Sequence, residues 1–406
     1  MTQSPSAAAG APPQAAAYLS TPVLLLMAGA CGLCAGSNYF NQPLLHSIAV
    51  GLGVSEARSA LTVTLAQVTY AVGLLLLVPL GDKCERRGLV VGLMLLASVG
   101  LFISGFARSF AMLFAGTAMA GLFSVAAQVL VPMAATLSDP RRSGRAVGLV
   151  MSGLLTGILA ARSVAGLLSA WGGWNTVYRA AGISMLVLAA ALWLVLPRSR
   201  NPSPPSYGST LRSLGRLIAR HPRLRSRALL GGLSFASVSA MFSTMSLLLS
   251  GPAFGLGDAH IGLVGLLGVA GALMANAAGR LADKGHGQAT TAGAAVLLVA
   301  SWGALWLGGG SMAWFLAGIL LIDLALQGGH ITNQNVVYQL EPQARSRINA
   351  VYMTSYFIGA AAGSALGSAA WQHGGWAGTC LLGVALGLCA VGVMLYDRAL
   401  VRRAAA

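Results

Sequence analysis

Asp323 is the acidic residue best placed to do chemistry, because it lies well inside a long apolar stretch. The other eight acidic residues lie at the ends of such stretches or between them. Gln327, His330 and Gln334 follow Asp323 at spacings that, at about 100° per helical residue, keep all four side chains within an arc of about 60°. We expect this stripe to line a cavity in which Asp323 binds a proton and the others contact substrate; alternatively, it only joins helices by hydrogen bonds.

Arg162 is the basic counterpart of Asp323 in another apolar stretch. At 1.5 Å per helical residue, Arg162 lies about 12 Å, and Asp323 about 16 Å, from the same edge of the predicted helices. Similar depths allow an ion pair or a shared substrate site. Arg162 alone would suit an organic anion, because a guanidinium makes paired hydrogen bonds with carboxylate or phosphate. The third alternative is that its head group extends to the surface.

Other polar and aromatic residues inside apolar stretches are candidates for the same cavity, or for hydrogen bonds that only hold helices together. Asn38, Asn41 and Gln42 share one helical face just before Pro43. The remaining candidates for substrate binding are Gln128, Asn276, Tyr352 and Tyr356.

The stretches that contain these residues are long enough to cross a membrane. The 406-residue chain is 56% hydrophobic and only 8% charged, whereas soluble chains have about a quarter charged residues. An ordinary soluble enzyme is therefore excluded, and lipid permits only helices for such stretches. Twelve spans are predicted, numbered in chain order: 22–45, 57–80, 89–107, 110–137, 145–170, 175–196, 228–250, 260–281, 289–308, 312–340, 347–371 and 376–396.

Basic residues are concentrated on one side of this arrangement. Of the 25 lysines and arginines, 21 fall in the even-numbered connections and the carboxyl-terminal segment. The positive-inside rule therefore predicts that both termini are cytoplasmic. The net charge of +16 does not predict binding to nucleic acid, because it is divided among short clusters between spans.

A segment rich in proline and arginine separates the first six spans from the last six. We predict a cytoplasmic disordered tail at 1–20, a six-helix bundle at 21–196, a basic cytoplasmic linker at 197–227, a second bundle at 228–397 and a cytoplasmic tail at 398–406. Within the linker, leucines recur at helical spacing opposite arginines. This pattern predicts a helix on the inner leaflet or, equally, a solvated linker.

The two halves repeat. Arg145 and Arg347, and Gly157 and Gly359, are each separated by the same offset of 202 residues, as are the Gly-Trp pairs that begin at 173 and 375. An Asp-Lys pair recurs at 82 and 283. Repeated six-span halves around a central site are an architecture of secondary transporters.

On these residues the sequence resembles the major facilitator superfamily over about residues 20–400. Residues 279–284 (GRLADK) are similar to the loop signature of that family, whereas the first copy, at 81–87, has Glu85 in place of a glycine. Residues 38–45 and 345–354 resemble bacterial sugar-efflux and drug:proton antiporter-like exporters. The resemblance implies an all-α membrane protein of twelve transmembrane helices in two pseudo-symmetric six-helix bundles. It also implies export of a small organic solute by alternating access across a bacterial inner membrane.

The resemblance further implies a cytoplasmic gate, in which aspartates pair with arginines across the halves when that side closes. The predicted gate residues are Asp82, Lys83, Arg145, Asp283, Lys284 and Arg347. Two departures weigh against drug:proton antiport: Gly116 stands where many antiporters have arginine, and Ile158 stands where proline is usual. The alternatives are a facilitator or importer of an organic anion bound by Arg162, and a receptor that does not transport.

The sequence contains no enzyme motif, cofactor loop or metal-ligand spacing. We therefore expect no enzymatic activity, cofactor, metal or nucleic-acid partner. The expected partners are a small-molecule substrate, protons and the lipid bilayer, and we expect the protein to be a monomer.

Overall fold

The computed structural model describes residues 18–139, 142–201, 206–268, 286–341 and 344–405. These ranges contain helices and no β-strand. Ten helices within them are long and apolar enough to cross a membrane: Thr21–Leu52, Glu56–Asp82, Arg86–Gly105, Phe110–Leu137, Ser143–Gly172, Trp174–Val195, Pro222–Ser250, Gly287–Leu307, Met312–Leu340 and Arg347–Arg403. Most of the predicted tail at 1–20, together with Asn276, Asp283 and Lys284, lies outside the described residues.

These ten helices correspond to eleven of the twelve predicted spans. Spans 11 and 12 form one long helix, Arg345–Ala405, which non-helical backbone at Gly374 and Gly375 interrupts. Span 8 begins with the short helix Asp258–Val264 and is described only as far as residue 268.

The outer surface of the bundle is apolar. Trp171, Val187 and Leu194 are 89%, 63% and 81% exposed, and further large apolar side chains lie on the faces that point away from the bundle. So many exposed large apolar side chains are unfavourable in water and fit a lipid environment. The chain is therefore a multi-pass membrane protein.

Matched close contacts relate the two halves. A Cβ atom at Gly157 of span 5 would overlap the backbone of Gly32 of span 1, and a Cβ at Gly359 of span 11 would overlap the backbone of Gly232 of span 7. The turns that follow also match, because Gly173 and Gly375 both have positive φ, at 79° and 54°. The offset seen in the sequence thus corresponds to the same helix pair and the same turn in each half.

The bundle has two ends. The basic end contains the connection after Asp82, the linker before Pro222 and the carboxyl-terminal segment; the opposite end contains the turn at Gly173 and the connection before Asp258.

The predicted linker contains a helix, Tyr207–Arg220, directly before span 7. Its Leu214 and Leu217 are buried against the bundle, whereas its arginines at 212, 216 and 220 are exposed. The Tyr207 hydroxyl donates a 2.8 Å hydrogen bond to the Leu76 carbonyl of the first half. His221 contacts Glu341 of the second half at 3.1 Å. The leucine face therefore packs on protein, and the helix joins both halves at the basic end.

Candidate functional site

Span 10 places its polar stripe on the inner side of the second half. Asp323 is 8% exposed, and its carboxylate accepts no hydrogen bond from any residue in the described ranges. His330 contacts the Tyr352 hydroxyl at 3.1 Å. Gln334 lies 4.0 Å from the Met353 sulfur, and Gln327 is half-buried. The stripe thus faces span 11, as well as the centre of the molecule.

Arg162 of span 5 lies at the centre, between spans 1 and 7. Its Nε donates a 2.6 Å hydrogen bond to Gln42 Oε1. Its guanidinium carbon lies 3.8 Å from the ring centre of Phe242 and 5.0 Å from that of Tyr39. The side chain is only 5% exposed, so its head group does not extend to the surface.

Arg162 and Asp323 interact electrostatically but do not form an ion pair. The two charges act on each other, yet neither appears among the ion pairs of the described residues, for which nitrogen and oxygen lie within 4.0 Å. Span 8 passes beside both: a Cβ at Gly265 would lie 3.0 Å from Arg162 Cβ, and one at Gly268 would lie 3.3 Å from Asp323 Oδ2. Glycines at these positions let the backbone of span 8 approach both side chains closely.

The three polar residues of span 1 do not share one environment. Short 3₁₀ turns at Ser37–Tyr39 and Gln42–Leu44 replace the α-helical period. Asn41 therefore donates to the Thr62 hydroxyl of span 2 at 3.1 Å, while Gln42 reaches Arg162. Asn38 and Asn41 line a small cavity inside the first half, and the side-chain oxygen of each has no partner there.

Aromatic rings form one wall of the centre. Tyr356 stacks on Phe235 of span 7 with ring centres 4.1 Å apart, and the His330 ring lies 4.6 Å from Tyr356. Phe357 of span 11 contacts Tyr70 of span 2 at 4.5 Å. This wall therefore crosses from the second half to the first.

A cleft at the basic end contains part of the predicted gate. Asp82 and Arg347 line it from the two halves, together with Gln128 of the first half. Asp82 pairs with Arg86 at 3.9 Å, and within the described ranges it forms no ion pair with Arg145 or Arg347. Lys83 and Arg145 are exposed. Gln128 donates to the Tyr70 hydroxyl at 3.4 Å.

At the opposite end the halves are in contact through Asp258. Its Oδ2 accepts hydrogen bonds from Ser47 at 2.6 Å and from Ser169 at 2.7 Å. Ser163 donates to the Gly262 carbonyl at 2.9 Å just inside. No sequence pattern predicts this contact, because an aspartate at the start of a span resembles any solvated residue there.

The sequence also does not predict a buried ion pair in the second half. Arg227 and Asp397 are fully buried and lie 2.6 Å apart. Arg227 also donates to Thr291 at 2.8 Å and to Asn333 at 3.1 Å. The sequence suggested span ends for both, whereas their helices, Pro222–Ser250 and Arg345–Ala405, extend past the predicted boundaries.

A membrane-embedded pair of six-span halves with a charged centre and a contact at one end defines a membrane transporter. A profile described as the Major Facilitator Superfamily matches residues 26–354. The chain is 49% identical over 388 residues to the uncharacterized transporter YgaY of Escherichia coli O157:H7. This alignment covers 96% of this chain and 98% of the relative. It is 28% identical over 286 residues to a chloramphenicol resistance protein of Streptomyces lividans, covering 70% and 72% of the two chains. The chain belongs to the Major Facilitator Superfamily.

Solved structures agree with the fold. The nucleoside transporter NupG superposes with a TM-score of 0.74 at 10% identity, covering 92% of this chain and 99% of NupG. A bacterial homologue of the lysosomal transporter Spinster, in an inward-facing and occupied conformation, gives 0.73 at 15% identity, covering 93% and 96%. At these identities the likeness concerns the fold alone. Transporters of this family bind small-molecule substrates within the membrane.

Proposed function

We propose that this transporter exports a small organic solute in exchange for protons, by alternating access in a bacterial inner membrane with both termini in the cytoplasm. The main observation in support is Asp323, a buried carboxylate with no hydrogen bond among the described residues. A charge inside a span costs about 2.5–3.5 kcal/mol by insertion measurements, so its presence at the centre calls for a function. The name of the Streptomyces relative supports export, and the side preferred by the basic residues supports the orientation.

Proton coupling is supported by the titratable groups that face Asp323. Arg162 approaches from span 5, Tyr356 from span 11, and His330 lies two turns further along span 10. When ionised, Asp323 attracts Arg162 of the other half; when protonated, it does not. One proton moving through about 100 mV supplies about 2.3 kcal/mol, which sustains roughly a fortyfold solute gradient. One titrating carboxylate is therefore sufficient.

The test uses proteoliposomes with an imposed pH gradient and radiolabelled chloramphenicol, together with solutes that raise the melting temperature of the purified protein. Wild-type protein should accumulate solute against its gradient. Asp323→Asn should lose uphill transport and keep solute exchange, because the neutral amide cannot release a proton. Glu56→Gln, a matched change near the opposite end where Glu56 pairs with His46, should behave as wild type. Unchanged proton-driven flux in Asp323→Asn would reject the proposal.

A second candidate is facilitated transport or import of an organic anion bound by Arg162. It is favoured by Nη1 and Nη2 of Arg162, which donate no hydrogen bond to any described residue. This candidate predicts flux that is independent of a pH gradient and is lost in Arg162→Ala.

A further inference from the structure

The guanidinium of Arg162 is fixed in place but keeps two donor groups available. Gln42 holds Nε at 2.6 Å, and the planar head group is stacked on Phe242 at 3.8 Å. Neither terminal nitrogen donates to a residue in the described part of the chain. A guanidinium held in this way presents a rigid pair of donors, which matches the two oxygens of a carboxylate.

Asp323 is available to bind a positively charged group or a hydrogen-bond donor. Its side chain is buried, and its carboxylate accepts no hydrogen bond from the described residues. Span 8 passes close to this carboxylate at Gly268, where a Cβ would lie 3.3 Å from Oδ2 and 2.6 Å from Leu159 Cδ2. A buried carboxylate without hydrogen bonds is costly unless a cation or donor reaches it.

The separation of the two charges is the informative feature. Arg162 and Asp323 interact electrostatically, and direct contact would relieve the cost of burying each. In the structure their charged atoms instead lie more than 4.0 Å apart, and span 8 approaches both side chains at Gly265 and Gly268. A ligand with one negative and one positive group satisfies both side chains at once, whereas a ligand with a single charge satisfies one and leaves the other unpaired.

The surroundings supply a place for an apolar portion. Tyr356 lies near Asp323 and stacks on Phe235 with ring centres 4.1 Å apart. Tyr39 lies against Arg162 at 5.0 Å. Aromatic rings next to a charge pair suit a compact solute with an apolar side chain, and they also favour a cationic group.

From this arrangement we infer that the central site binds a zwitterionic solute of the amino-acid type. Its carboxylate binds Nη1 and Nη2 of Arg162, its ammonium group binds Asp323, and its side chain packs on the Tyr356–Phe235 wall. The inference rests on the proposed function and deepens it, since an ammonium group and a proton then compete for Asp323. That competition couples solute release to proton uptake.

The experiment measures binding to the purified full-length protein by thermal shift at fixed pH. The ligands are the twenty standard amino acids, each with its amide, which lacks the carboxylate, and its N-acetyl derivative, which lacks the ammonium group. At least one free amino acid should stabilise the protein, and both of its derivatives should bind at least about tenfold more weakly, because each loses a hydrogen-bonded charge contact. This comparison needs no variant.

Variants then assign each end of the ligand. Arg162→Gln should make the free amino acid and its amide bind equally. Asp323→Asn should make the free amino acid and its N-acetyl derivative bind equally. Arg162→Lys should restore part of the preference for the acid. Arg58→Gln, an arginine stacked on Phe110 near the opposite end, should change nothing. The melting temperature of each ligand-free variant reports whether it folds.

Failure of binding by every free amino acid, or equal binding of an amino acid and its derivatives, would overturn the inference. Proton-driven chloramphenicol flux tests the proposed function separately. That flux can persist when zwitterions do not bind, and zwitterions can bind when flux ignores the pH gradient, so the two failures are distinguishable.

Discussion

Ser169 of the first half donates a 2.7 Å hydrogen bond to Oδ2 of Asp258 in the second half. Ser47 donates to the same oxygen at 2.6 Å. One carboxylate at the start of span 8 therefore holds the ends of spans 1 and 5. Among the described residues, the gate aspartate Asp82 makes no corresponding ion pair between the halves at the basic end.

Asp258→Ala should favour states in which the opposite end opens. A hydrogen bond to a charged group contributes about 1.5–3 kcal/mol, so losing two should change the ratio of open to closed states by tenfold or more. Spin labels at Arg108→Cys and Gly310→Cys, in a background without the five native cysteines, report the distance across this end by double electron–electron resonance. The distribution should move to longer distances.

The matched control is Ser152→Ala on span 5. Its hydroxyl bonds to the Leu149 carbonyl of the same helix, so its loss should leave the distance distribution unchanged. An unaltered distribution in Asp258→Ala would mean that other contacts hold this end closed.

Asp397→Ala should strongly destabilise the second half. It leaves Arg227, which is fully buried, without its 2.6 Å partner, and breaking one side of a buried pair costs about 3–5 kcal/mol. Removing both charges, in Arg227→Met with Asp397→Leu, should recover most of the loss. Thermal unfolding in detergent measures each variant.

The comparison for this pair is Asp82→Ala, which removes a longer and partly exposed ion pair with Arg86. Such pairs contribute about 0–1 kcal/mol. Equal losses for Asp82→Ala and Asp397→Ala would contradict the role assigned to burial.

Glu85→Ala should weaken the start of span 3. Burial tends to raise the pKa of the Glu85 carboxyl, but hydrogen bonds from the backbone N–H groups of Gly88, Ser199 and Arg87 outweigh it, and the pKa lies below the ordinary value of 4.5. A lowered pKa means that the stabilisation is present above the ordinary value and is lost as the pH falls through the folded-state pKa. The expected loss near neutral pH is about 0.5–2 kcal/mol, as for other helix caps.

The measurement is the melting temperature of wild type and Glu85→Ala in detergent, from pH 7 down to the lowest pH at which the wild-type protein remains folded. The difference should narrow at acid pH. A constant difference would indicate that Glu85 acts through packing and not through its charge. The glutamate that departs from the loop signature thus has a structural reason, since it caps span 3 and holds the segment after span 6.

The spans and the internal repeat could be predicted from the sequence because lipid leaves helices as the only choice for long apolar stretches. The central positions of Arg162 and Asp323 followed for a related reason, since a charge inside a span needs a protein or aqueous environment. These inferences depend on local composition and on a fixed offset, both of which can be read along the chain.

Contacts between distant segments could not be predicted in this way. Asp258 and Asp397 are at positions where a charge is ordinarily solvated, and their partners Ser47 and Arg227 are 211 and 170 residues away. Gln42 separates from Asn41 because 3₁₀ turns around Pro43 break the period on which the predicted arc relied.

The glycines at the 202-residue offset give the last prediction. A Cβ at Gly359 would overlap the Gly232 backbone of span 7, whereas one at Gly392 of span 12 would meet no atom within 4 Å. Gly359→Ala should therefore cost about 1–3 kcal/mol through overpacking. Gly392→Ala should be neutral or stabilise by about 0.5–1 kcal/mol, because alanine is the better helix former. Thermal unfolding separates the two, and Gly157→Ala should reproduce the effect of Gly359→Ala because its Cβ would meet Gly32 in the first half. Equal melting temperatures for the variants at 359 and 392 would show that spans 7 and 11 can move apart without cost.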